Sequence, residues 1–168
     1  MSYASVYESW KSDPESYWLD LAKAVSWKVF PEIVLNKSNA PFFQWFEDGL
    51  ANTCFNAVDR HVLAGLGKKT AIIYDSPVTK SVEHLSFDEL LLKVSRLGAA
   101  LKLKGVAKGD RVIIYMPMVL EAVVAMFACA RIGAVHSVVF GGFAATELAV
   151  RIDDATPKAI LAGSCGIE

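Results

Sequence analysis

With 168 residues, 54% of them hydrophobic and 21% charged, the chain has the length of one ordinary domain and enough apolar residues for a buried core, which excludes a disordered chain. A formal net charge of -1 and a sequence pI near 6.3 exclude the basic footprint of a nucleic-acid binder and a polybasic membrane patch. The three cysteines, Cys54, Cys129 and Cys165, are far apart and form no CxxC pair, so neither a disulfide framework nor a zinc site is expected, and a reducing compartment fits.

The N-terminus, Met1-Ser2-Tyr3-Ala4-Ser5-Val6-Tyr7-Glu8, has no basic region and no long apolar run, so it does not read as a secretory signal. Residues 1 to about 50 are rich in aromatics: Trp10, Trp18, Trp27, Phe42, Phe43, Trp45 and Phe46. Asp13-Pro14-Glu15 has the form of a helix start with proline at the first helical position. Ser38-Asn39-Ala40-Pro41 marks a loop. Such a segment is expected to clamp the outside of a larger body rather than to fold alone. The run Asn56 to Leu63 suits a short helix with Phe55, Val58, Val62 and Leu63 on one face. Thr70 to Tyr74 reads as a strand that Ser76-Pro77 ends.

Ser86-Phe87-Asp88-Glu89 predicts a capping box, and the helix it opens carries Phe87, Leu90, Leu91, Val94, Leu97 and Leu101 on one stripe. Gly105 is placed for a left-handed stop. From there strands and helices alternate. Arg111 to Tyr115, Val135 to Phe140 and Lys158 to Ala162 are strands. Val119 to Arg131, stopped by Gly133, and about 145 to 154, closed by Thr156-Pro157, are helices. Continuous apolar strands joined by helices predict a parallel βαβαβ sheet layered with helices, an α/β fold, with right-handed crossovers. Glu121 and Arg131 divide the most apolar region, Val112 to Phe140, into pieces too short for a bilayer.

In a parallel sheet ligands bind at the edge where the strands end. Three loops meet that condition: Met116-Pro117-Met118, Gly141-Gly142-Phe143 and Gly163-Ser164-Cys165-Gly166. On spacing alone, Gly141-Gly142 fits a tight strand-to-helix turn as well as it fits a ligand edge, and Ala144 and Ala145 offer no oxygen to cap the next helix. Gly65-Leu66-Gly67-Lys68-Lys69-Thr70 hints at a phosphate loop, but Val62 stands where its first glycine belongs and Lys69 where Ser or Thr should follow, so it reads as a surface turn. His61, His84 and His136 have no metal-ligand spacing, and His136, inside an apolar strand, reads as a hydrogen-bonded core imidazole. Cys165 as a catalytic thiol would need a base beside it. Asp153-Asp154 reads as a solvated helix end. No catalytic and no metal-ligating residue is assigned.

Four runs taken together are more specific. They are Asn56-Ala57-Val58-Asp59-Arg60-His61, Lys108-Gly109-Asp110-Arg111-Val112, Ile114-Tyr115-Met116-Pro117-Met118, and Ala128 through Val135-His136-Ser137-Val138-Val139-Phe140-Gly141-Gly142-Phe143. In order and spacing they resemble the N-terminal region of the AMP-forming short-chain acyl-CoA synthetases. Asn52 to Val58, Ile73 to Val78 and Ser164 to Glu168 look more like the propionyl-CoA than the acetyl-CoA synthetases. The resemblance covers nearly the whole chain but only about the first quarter of such an enzyme. It implies an aromatic-rich helical extension of synthetase type over residues 1–53, then the first part, 54–168, of an incomplete AMP-binding domain.

The resemblance implies a ligase that joins a short-chain carboxylate to CoA through an acyl adenylate, using ATP, Mg2+ and CoA. It also implies that Phe140, Gly141 and Gly142 border the CoA passage. The family's phosphate loop, acyl pocket and C-terminal lysine are absent here, so these residues alone are expected to be inactive and to bind no cofactor tightly. The competing reading is a non-catalytic α/β module that binds CoA or a protein partner. Small-molecule substrates are expected, with no nucleic acid and no membrane. Self-association through an exposed sheet edge is a further expectation. A cytoplasmic location is expected, with the mitochondrial matrix left open.

Overall fold

The structure, a computed structural model, describes residues 2–164. The chain divides into two compact units, Met1–Asn52 and Thr53–Glu168.

In the first unit, helix α1 (Tyr3–Ser12) is opened by Ser2, whose side chain accepts from the Ser5 amide. Asp13 opens α2 (Pro14–Ala22) in the same way through the Ser16 amide at 3.0 Å, which holds the Asp13 carboxyl below its usual range. The sequence reading has a counterpart for α2 and none for α1, which buries no residue. Four short strands follow. β1 (Trp27–Val29) pairs antiparallel with β4 (Leu50–Ala51), and β2 (Leu35–Asn36) with β3 (Gln44–Trp45). Ring contacts take the place of an aliphatic core. Trp27 lies 5.8 Å from Phe46 and 6.4 Å from Phe30, and its Nε1 donates to the Ala22 carbonyl at 2.8 Å. Trp45 meets Trp18 edge-on at 5.8 Å.

The second unit begins with a helical stretch whose turns are wide, i to i+5, over Phe55–Asp59 and Val62–Leu66. Val58 and the preceding Cys54 are fully buried. Phe55 and Leu63, expected on the same inner face, are 38% and 76% exposed, because a wider turn rotates side chains off the 3.6-residue stripe. The strand β5 (Thr70–Ser76) ends where Ser76-Pro77 predicts, and it pairs with an unforeseen partner, β6 (Ser81–Ser86), in an antiparallel hairpin. The capping box is present. Ser86 Oγ accepts from the Glu89 amide at 3.3 Å, and the Glu89 carboxylate accepts from the Ser86 amide at 2.9 Å. It opens α3 (Phe87–Leu103), which buries Leu90, Val94, Gly98 and Leu101, and Gly105 follows at φ +84°.

The sheet comprises β7 (Arg111–Met116), β8 (Val135–Phe140) and β9 (Ala159–Ala162), all parallel, in the order β8-β7-β9. Helices α4 (Leu120–Ile132) and α5 (Ala145–Ala155) connect them. Val112, Ile113 and Ile114 of the central strand are fully buried. Val112 and Ile114 pack with α3 and α4 side chains such as Val94, Ala125 and Ala128. Tyr115, on the alternate face, reaches the segment that starts α5. The chain steps from β7 to β8, then back across β7 to β9. Right-handed crossovers in opposite directions put their helices on opposite faces; accordingly Arg111 and Tyr115, on the β7 face alternate to Val112 and Ile114, bond to the end and the start of the α5 segment.

The entry edge of the sheet is pinned by one of the runs that carry the resemblance. The Gly109 amide, at φ +87°, donates to the Gly133 carbonyl. The Asp110 carboxylate accepts from the Ala107 amide at 2.8 Å. The Arg111 guanidinium donates to the Ala155 carbonyl and to Thr156 Oγ1, both at 2.8 Å, placing its charge at the negative end of α5. His136 is exposed, not a core imidazole. Its strand lies at the sheet edge, and the face it shares with Val138 and Phe140, 51% and 64% exposed, extends beyond the helix cover.

Candidate functional site

Adjacent strands whose following helices go to opposite faces leave a crevice between their ends. β7 and β8 are such a pair. A cleft of about 490 Å³ lies there, lined by Pro117 and Met118 after β7, by Phe140, Gly141 and Gly142 after β8, and by the hairpin tip Tyr74 to Val78. The structure thus brings two of the three expected loops together. Gly163 and Ser164 of the third do not line the cleft, and Cys165 and Gly166 lie outside the described residues. The hairpin tip is the part that loop position in the parallel sheet does not reveal, since it arrives from a separate antiparallel ribbon.

The two glycines have different causes. Neither has positive φ among the described glycines. A Cβ on Gly141 would sit 2.8 Å from both the carbonyl carbon and oxygen of Met116 and 2.9 Å from Pro117 N. Glycine is required because two backbone loops touch. The three atoms nearest to a Cβ on Gly142 would all belong to the Phe140 ring, the first being Cε1 at 2.7 Å. On spacing alone the two glycines fit a tight turn as well as a ligand edge, and the resemblance places both beside the CoA passage. At Gly141 the space is instead taken by the neighbouring loop.

The turn is fastened from the far face of the sheet. The Phe143 amide donates to the Phe140 carbonyl at 3.1 Å. Tyr115 Oη donates to the Phe143 carbonyl at 2.7 Å, the Arg151 guanidinium lies 4.5 Å over the Phe143 ring, and the rings of Phe140 and Phe143 meet edge-on at 5.7 Å. The cleft is mostly apolar, with Tyr74 and Ser76 among its lining residues, and Asp75 is the one charge among them. It contains no lysine or arginine to hold a phosphate. Val119 and Ala144, which precede α4 and α5, make no side-chain cap bond.

The remaining candidates are structural. The Gly67 and Lys69 carbonyls accept from the Asp88 and Phe87 amides at 2.9 and 3.1 Å, so the lysine-bearing turn closes the start of α3, which a phosphate loop would leave open. Cys54 and Cys129 are buried, and burial pushes both thiols up, away from the reactive thiolate. Asp153 and Asp154 are exposed. Among the described residues no His, Cys, Asp or Glu cluster could hold a metal ion, and no helix is long and apolar enough to cross a membrane. Asp59, within the first of the four runs, ties the wide-turned helical stretch to α4. Arg131 Nη1 of α4 donates to both its carboxylate oxygens, at 2.9 and 2.8 Å, and lies 3.7 Å from Cys54 Sγ.

Residues 59–167 match the family model described as AMP-binding enzyme, and residues 3–57 match the one described as acetyl-coenzyme A synthetase N-terminus. The chain belongs to the AMP-binding enzyme family. Its relatives within that family are short-chain acyl-CoA synthetases. The mitochondrial acyl-CoA synthetase short-chain family member 3 of Bos taurus is 47% identical over 99% of this chain, and the acetyl-coenzyme A synthetase of Burkholderia mallei is 46% identical over 95%. An uncharacterized protein of Pseudomonas aeruginosa is 49% identical over the whole chain. The chain spans about a quarter of the length of these curated relatives, 24–27%. In this AMP-binding family member, two of the runs that carry the resemblance meet at the cleft, while the Gly109–Arg111 run pins the opposite edge of the sheet.

Proposed function

We propose that this chain forms the opening segment of an ATP-dependent, AMP-forming carboxylate-CoA ligase, acting on propionate in preference to acetate, with the cleft between β7 and β8 as a wall of the CoA passage. The observation that carries the reading is the meeting of Phe140-Gly141-Gly142 with Pro117-Met118 at the switch point of the sheet. The preference for propionate rests on the runs Asn52 to Val58, Ile73 to Val78 and Ser164 to Glu168, since identities of 47% and 46% do not rank the relatives. On this reading, residues 1–53 are the synthetase-type extension and 54–168 the first part of the AMP-binding domain. The mitochondrial relatives keep a matrix location beside a cytoplasmic one.

The chemistry of the cleft selects which part of CoA it faces. Phosphates need cations or converging amides. The cleft is lined mostly by apolar residues, with Tyr74, Ser76 and a single charged residue, Asp75, among them. These suit the uncharged pantetheine arm and not the nucleotide. The same lining does not fit Mg-ATP, so no step of adenylation is assigned to these residues. Titration of the 168-residue chain with pantetheine, followed by amide NMR, is expected to move the resonances of Phe140, Gly141 and Gly142, while adenosine 3′,5′-bisphosphate leaves them in place. Gly142→Val serves as the control, because its clash is with a movable ring rather than with backbone. Equal shifts in the control, or shifts with the nucleotide alone, overturn the assignment. Pyrophosphate release from ATP in the presence of propionate is expected to stay at the boiled-protein background, and release above it would show that the chain carries its own adenylation site.

A further inference from the structure

We infer that Tyr115 is a positioning residue for the Gly-Gly turn: it acts from the face of the sheet opposite α4 and sets where the Phe140 ring stands in the cleft. The inference rests on the CoA-arm reading above. It adds a residue that does not line the cleft and that the reading itself does not use.

The segment Phe140–Phe143 has only one internal closure, the Phe143 amide donating to the Phe140 carbonyl. Such a turn can tilt as a unit about its ends. Gly141 fixes its first half by contact with the Met116–Pro117 backbone. Its second half has no backbone neighbour of that kind. There the Tyr115 hydroxyl donates to the Phe143 carbonyl at 2.7 Å, a short bond to a part-buried acceptor. The ring of Phe143 is then held on one side by Arg151 at 4.5 Å and on another by the edge of Phe140. Arg151 is itself held by the Glu147 carboxylate at 3.1 Å. The chain of contacts runs Tyr115, Phe143, Phe140, cleft. Phe140 is 64% exposed, so its ring has room to swing on the cleft side. The restraint comes through Tyr115 and Phe143.

The experiment compares the 168-residue chain with its Tyr115→Phe variant, which keeps the ring and removes the donor. Amide hydrogen exchange at Phe143 and pantetheine affinity by NMR titration are read together. Loss of one such bond is expected to speed exchange at Phe143 and weaken pantetheine by about three- to tenfold each, with the melting temperature within a few degrees of wild type. Arg151→Met, which takes the cation from the Phe143 ring, is expected to act in the same direction. Ile113→Val, on the same face of β7, is expected to leave both readouts unchanged. Unchanged Phe143 exchange in Tyr115→Phe overturns the clamp, and so does faster exchange with unchanged pantetheine affinity. If wild type shows no pantetheine shift at Gly141 and Gly142, the CoA-arm reading fails, and the exchange at Phe143 alone then upholds or overturns the clamp.

Discussion

Gly141→Val is expected to lower stability by about 2–3 kcal/mol and the melting temperature by about 5–10 °C, whereas Gly142→Ala is expected to cost less than about 1 kcal/mol. The difference lies in what each new Cβ meets. At Gly141 it meets the carbonyl carbon and oxygen of Met116 at 2.8 Å, closer than packed atoms allow. Those atoms end the central strand of the sheet, whose side chains at Ile113 and Ile114 are fully buried, so they cannot move without disturbing the core. At Gly142 it meets the end of the Phe140 ring, which is exposed and can rotate away. Urea or thermal melts of the two variants against wild type test this. Equal losses at the two positions would mean that the Met116–Pro117 loop yields and that backbone contact is not what requires Gly141.

Asp59→Ala is expected to destabilise the chain by about 2 kcal/mol, and the double variant Asp59→Ala with Arg131→Met by less than Asp59→Ala alone. Arg131 Nη1 donates to both carboxylate oxygens, and the two side chains are only 30% and 16% exposed. That burial puts the pair between an exposed ion pair, worth under about 1 kcal/mol, and a fully buried one, whose rupture costs about 3–5 kcal/mol. Removing the carboxylate takes two charge-assisted bonds from Arg131 in a half-dry site beside Cys54. Removing the charge as well replaces it by an apolar side chain of similar length. A double-mutant cycle in urea gives the coupling. Additive losses would show that the two residues stabilise the chain through separate contacts.

The parallel sheet was legible in the sequence for a physical reason. Val112 to Ile114 and Val138 to Phe140 are continuous apolar runs between marked helix ends: the capping box at Ser86 and glycines at 105 and 133 that do adopt positive φ. Each signal is local and each agrees with the others. Helix α1 was missed although Tyr3, Tyr7 and Trp10 recur at helical spacing and their rings meet along its surface at 6.1 and 5.6 Å: it buries no residue, so no aliphatic core stripe marks it. Nor was β6, whose residues Ser81-Val82-Glu83-His84-Leu85-Ser86 bury only Leu85. Half of the cleft was legible, since strand-end loops follow from strand direction. Tyr74 to Val78 was not, because the approach of a hairpin to a separate sheet is a tertiary fact. His136 misled for a related reason: an apolar strand reads as buried whether or not both faces are covered.

The order β8-β7-β9 bears on how the molecule assembles. The two strands that frame the cleft are consecutive in the chain and joined through one helix, so their pairing closes a short loop. β9 pairs only after α5 has traversed the opposite face, where Arg111, already part of β7, donates to its last carbonyl. Kinetically, the strand pair that frames the cleft belongs to the early, low-contact-order part of the sheet, and the third strand is its late addition. An amide pulse-labelling experiment on the refolding chain should therefore find Ile114 and Val138 protected ahead of Leu161.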